Sequence, residues 1–121
     1  MSTPRLLFAT ALAASCSIAM AVDRDDAQLE LAQAATAVQA AERDDAMRHA
    51  PADLDEAHAT LAAAERAADA REWEEAAWFA KRAKVCGDLA SARSRQRRAE
   101  AATDELQRSV DALRSGNGGV R

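Results

Sequence analysis

Tyrosine is missing from this 121-residue chain, and its aromatic residues are two Trp and two Phe. Nucleic-acid recognition by stacking therefore has little to work with. Basic excess is missing too: 16 Lys plus Arg stand against 20 Asp plus Glu, a net charge of -4, which excludes a nucleic-acid binder resting on bulk charge. The two cysteines, Cys16 and Cys86, are too few for a disulfide-rich scaffold or a four-cysteine zinc site. Prolines number two and glycines four, and no Gly-rich phosphate loop precedes a helix. Nor do Ser-His-Asp or Cys-His residues fall into a catalytic set, so the sequence reads as non-enzymatic. At this length the chain holds one small domain at most.

Alanine is what the chain has in abundance, with 34 residues. The first 21 residues read as a secretory signal. Arg5 precedes a short apolar stretch, LLFATALAA (6–14), too short to cross a bilayer, and a small-residue end follows. Ala19-Met20-Ala21 supplies the small residues needed for cleavage after Ala21, leaving Val22 as the new N-terminus. Ala13-Ala14-Ser15-Cys16 is a loose lipobox, so lipidation at Cys16 is the alternative. The expected location is periplasmic or secreted, or an outer-membrane lipoprotein under the second reading. After cleavage Cys86 is the one thiol, read as a small buried hydrophobe.

Leu, Ile, Val and Phe make up only 13 residues from 22 onward, a fraction that by itself suggests disorder. Helix propensity reverses that inference, because Ala, Glu, Arg, Gln and Leu dominate and Pro51 is the one proline after the leader. The spacing predicts an all-α domain over 22–115, with a flexible tail at 116–121. Pro51 should stop or kink a first helix near His49. Asp53 and Glu56 predict the N-terminal cap of the next helix. Acids at 72, 74 and 75 mark a further start after a bend at Arg71.

Apolar residues recur at helical spacing in each segment. Ala27, Leu31, Ala34, Val38 and Ala41 form one seam, and Leu54, Ala57, Leu61, Ala64 and Ala68 a second. Trp78, Val85, Leu89, Ala92, Ala99, Leu106, Val110 and Leu113 form a third, with Arg82, Gln96 and Thr103 as its polar members. The two shorter segments together match the last in length, which predicts a long antiparallel helical hairpin, one limb broken at Pro51 and the turn near Arg71. In that register Leu54 faces Leu89, Val38 approaches Leu106, Leu31 meets Val110, and Arg97 and Arg98 lie opposite Asp45 and Asp44. The alternative is a three-helix bundle in which the first helix folds back beside the second. Residues 22–76 carry a net -10 and 77–121 a net +5, so the limbs should attract.

Ala50-Pro51, followed by Leu54, Ala57, Leu61 and Ala64 and then by Trp73, Ala76, Ala77 and Ala80, resembles the bacterial envelope family known as domain of unknown function 4398, over roughly residues 27–114. The resemblance implies a signal or lipoprotein leader, an Ala-Pro-x-x-Leu element and two Ala-rich helices joined at a Gly-Asp-Tyr-like turn. Here Arg71-Glu72-Trp73 stands at that turn, so a non-glycine residue must bend the chain there. The family carries no assigned chemistry, and no site residues follow from it.

His49 and His58 have acids at helical spacing, Asp45 and Asp55, but no third ligand, so solvated pairing is the simpler reading and no metal or cofactor is expected. Trp73, Trp78 and Phe79 cannot all face one side of a helix, so at least one should be partly exposed near the turn. Arg93, Arg95, Arg97 and Arg98 are the strongest charge cluster. These seven residues are the candidate interaction surface. The implied function is an exported, non-enzymatic interaction or spacer module of the cell envelope. Its partner would be an envelope protein or a second copy through helix faces, and a membrane only if Cys16 carries lipid. A small periplasmic ligand or metal carrier is the alternative.

Overall fold

The computed structural model describes residues 22–118, which form four helices: α1 (Arg24–Arg43), α2 (Ala46–His49), α3 (Pro51–Asp69) and α4 (Trp73–Asn117). Residues 1–21, on which the expected leader, its cleavage after Ala21 and the lipidation alternative at Cys16 fall, lie outside the described residues, as do 119–121.

The breaks follow from backbone chemistry. α1 ends where Asp45 takes a left-handed conformation (φ 62°), a region that Asp enters more readily than most residues, and its N–H donates to Glu42 O. One further turn, α2, leads to Ala50, which is pushed out of helical dihedrals (φ -143°) by the proline that follows. Pro51 then opens α3 at the position where a helix needs no N–H donor. Asp53 is therefore not the cap that its spacing suggests. The helix starts two residues earlier, with no side-chain cap bond, and Asp53 sits inside the first turn. At the other end of α3, Arg71 is left-handed (φ 61°), and the Arg71 and Glu72 N–H groups donate to Ala68 O and Ala67 O. That is a Schellman closure on a non-glycine residue, so the bend forms at Arg71 as expected at a cost of about 1 kcal/mol.

The all-α class, the break at Pro51, the bend at Arg71 and the antiparallel pairing of α3 with α4 all match the sequence reading. The first limb takes the alternative arrangement. Instead of extending the hairpin, α1 folds back across the reversal at residues 44–50 and lies along both α3 and α4. Ala27 packs with Ala67, Ala76 and Ala77; Ala34 with Ala64, Ala80 and Ala83; Val38 with Leu54, Ala57 and Ala90. α1 thus runs parallel to α4, residue numbers offset by about 49, and the chain is a three-helix bundle. The proposed contacts of Val38 with Leu106 and of Leu31 with Val110 do not form, because Leu106 and Val110 lie outside the bundle.

The core is built almost wholly from alanine. Among the described residues Leu54 is the one large apolar side chain buried completely, and it meets Ala90 rather than Leu89. Small side chains bring helix axes close, and Gly87 marks the tightest point. A Cβ placed there would lie 2.9 Å from the Ala37 carbonyl carbon and 3.0 Å from the Val38 nitrogen. α4 is 45 residues long, more than twice either partner, and every residue from Arg95 to Gly118 is exposed.

Candidate interaction surface

α4 has two faces that differ in residue size. Its bundle face consists of Ala76, Ala77, Ala80, Ala83, Gly87, Ala90, Ser91 and Ser94, all buried. The expected seam lies on the opposite side, half a turn away at about 100° per residue. Trp78 is 57% exposed, Val85 65%, Leu89 42%, Leu106 70% and Leu113 71%. This corrects the expected seam: its large residues, from Trp78 to Leu113, are not the core face of α4. Two helices must be accommodated along one side of α4, and close approach of their axes selects the alanine, glycine and serine stripe. The seams read on α1 and α3, by contrast, do face inward.

The arginines divide in two. Arg93 pairs with Asp53 of α3, and that contact holds its guanidinium pKa above the ordinary value. Arg95 Nε lies 3.2 Å from Asp44 Oδ2, while its Nη2 donates to Ser91 Oγ at 2.9 Å. Arg97 donates to the His49 carbonyl. The expected clasp across the bundle thus exists, but shifted: Arg95, not Arg97 or Arg98, meets Asp44. Arg98 instead borders an open notch of about 650 Å³ with Arg48, His49, Arg95 and Glu105, where α4 leaves the bundle. Arg82 bridges Glu56 at 3.2 Å and lies 5.9 Å from the centre of the Trp78 ring. These pairs join the acidic half of the chain to the basic half, and at such exposure they set register more than they add stability.

Near the bend the three aromatics separate as their spacing requires. Trp73 and Phe79 are half-buried against the alanine core, and Trp78 points outward, meeting Phe79 edge-on at 5.0 Å between centroids. His58 pairs with Glu42 of α1 at 3.1 Å rather than with Asp55, and His49 lies 3.7 Å from Asp45. Among the described residues no three His, Cys, Asp or Glu side chains gather at one point, and no helix is long and apolar enough to cross a membrane. Cys86 is half-buried beside Leu54 and Ala90. Burial first, and then the Glu56 carboxylate, push its thiol pKa up, which suits an unreactive side chain.

Sequence reasoning missed one cluster. Asp44, at the end of α1, accepts from Ser91 Oγ on its carboxylate and from Ser94 Oγ on its carbonyl, and Arg95 completes the grip. Ser91 and Ser94 are buried. Two serines on the Gly87 side of an alanine helix were the available signal.

Residues 29–115 match the family model described as Domain of unknown function (DUF4398), and the chain belongs to that family. Among the curated proteins and among the solved structures, no match is found.

Proposed function

We propose that this protein is a non-enzymatic, exported interaction or spacer module of the bacterial cell envelope. The leader, cleaved after Ala21 or lipidated at Cys16, would deliver it to the periplasm or to the outer membrane. The single observation that carries the reading is the division of α4. Its small residues are spent on the bundle, while its large apolar residues and its projecting second half face outward. A helix of this kind serves contact and spacing better than it serves chemistry, since large exposed apolar stripes mark interaction surfaces.

The test is affinity capture of the tagged chain from envelope extract, beside a Leu106→Asp/Leu113→Asp variant. The reading expects envelope proteins held by the first and released by the second. Saturable binding of zinc or a small ligand, with no protein retained, would favour a carrier and contradict it.

A further inference from the structure

We infer that the outward stripe of α4 is a dimerisation seam, and that its partner is a second copy of this chain lying parallel and in register. The inference deepens the interaction-module reading and rests on it for its biological sense, though its physical grounds are separate.

The first ground is the overhang. Beyond Ser94, its last buried residue, α4 leaves the bundle, tied back by Arg95 to Asp44 and by Arg97 to the His49 carbonyl, and continues to Asn117 with every residue exposed, roughly 34 Å of helix at 1.5 Å per residue. Isolated helices of this length are marginal in water, and this one carries Leu106 and Leu113 about 70% exposed. It lacks the partner that an amphipathic helix normally has.

The second ground is the repeat. From Leu89 to Leu113 the stripe alternates by threes and fours without a slip. Leu89, Gln96, Thr103 and Val110 take one core position of the heptad, and Ala92, Ala99, Leu106 and Leu113 take the other. In the overhang, β-branched Thr103 and Val110 alternate with Leu106 and Leu113, the arrangement that favours two parallel strands. Gln96 supplies a single amide layer that pairs with itself only in register.

Charge complementarity is the third ground. The residues flanking this seam that meet across a parallel pair are five apart in number: Asp88 with Arg93 of the second copy, and Arg95 with Glu100 of the second copy. Both pairs are opposite in sign, and no like-charged pair occurs along the seam; Arg93 and Arg95 also hold Asp53 and Asp44 within the chain, so across the seam each guanidinium is shared between two carboxylates. Arg82, whose position continues the stripe toward the bend, is tied to Glu56 and Trp78. The seam therefore stops short of Arg82, with the exposed Val85 at its margin and Leu89 as its first full layer, and the bundles diverge beyond it.

Sedimentation of the mature chain over roughly 5 to 200 μM tests this, because mass action moves a modest dimer within such a range. The result expected is a twofold mass at the upper end. Leu106→Asp/Leu113→Asp should return it to the monomer, with the bundle intact by tryptophan fluorescence because both sites lie beyond it. Glu100→Arg should weaken the dimer a few-fold at low salt. Orientation is read from spin labels at Lys84→Cys in a Cys86→Ala chain. A parallel pair puts the two labels within about 35 Å, whereas antiparallel overhangs would separate them by more than about 60 Å. A monomer at every concentration, a dimer that survives both aspartates, or the longer label distance would overturn the inference. So would a monomer that uses the stripe to bind anionic vesicles or a different protein. The two readings fail separately. A monomer that still retains envelope proteins removes the dimer and leaves the module; a dimer that retains none does the reverse.

Discussion

The two halves of α4 share an alanine-rich composition and one continuous backbone, yet they are held by different forces. Before Arg95 the helix is fixed by packing, with Ala80, Ala83, Gly87 and Ala90 set against α1 and α3. Beyond it, apart from the Arg97 bond to the His49 carbonyl, order rests on propensity and on contacts one turn apart, such as Gln96 with Glu100 and Gln107 with Asp111. Interactions of that local kind are worth about 0.2–0.5 kcal/mol each. In such a chain the size of a side chain is a poor guide to burial. Close helix packing consumes the small residues and leaves the large ones outside.

The contrast breaks most sharply at Leu54. Among the described residues it is the one large apolar side chain wholly enclosed, so Leu54→Ala should cost about 2–4 kcal/mol in denaturant unfolding. Leu89→Ala, at 42% exposure, should cost far less in the monomer. Equal losses at the two sites would mean that the faces have been assigned wrongly.

Glycine offers the same substitution with opposite signs. At Gly87 an added methyl meets the Ala37 and Val38 backbone, and Gly87→Ala should destabilise by about 1–2 kcal/mol even after its better helix propensity is counted. At Gly116 nothing lies within 4 Å, and Gly116→Ala should raise helix content by circular dichroism.

Asp44→Ala removes the acceptor for Ser91 and Arg95 while keeping the carbonyl that Ser94 uses. A loss of about 1 kcal/mol is expected, together with faster amide exchange across residues 44–50. The smallest effect concerns Cys86. With its thiol pKa raised by burial, the unreactive thiol form persists to higher pH than in a free cysteine. Alkylation near pH 8 should therefore be slower than for the same residue in the unfolded chain. Equal rates would show that this part of the core is open.

Much of this fold is legible in the sequence, and the limit of legibility has a physical cause. The helices, the proline break and the bend at Arg71 follow from local preferences, which act over a few residues. The inward seams of α1 and α3 are readable because Leu54 and Val38 have nowhere else to bury. On α4 the rule fails, since its heptad repeat of large residues competes with a stripe of Ala, Gly and Ser that carries little hydrophobic signal. Equal limb lengths suggest an extended hairpin, whereas the left-handed Asp45, which no spacing announces, acts with the non-helical Ala50 before Pro51 to turn α1 back. For the candidate surface, Trp78 and the arginines were found as residue types. Which arginine meets Asp44 depends on the parallel register of α1 on α4, which residue spacing within one helix does not carry.

The direction of α1 along α4 is the claim on which the rest depends, and one intramolecular distance decides it. Fluorophores at Gln28→Cys and Arg114→Cys in a Cys86→Ala chain, diluted into unlabelled copies, report it directly. In the bundle residue 28 lies beside Ala77, so the pair should be roughly 55 Å apart. Strong energy transfer, placing the two labels within about 20 Å, would mean that the chain is an extended hairpin and that the outward stripe of α4 is its core.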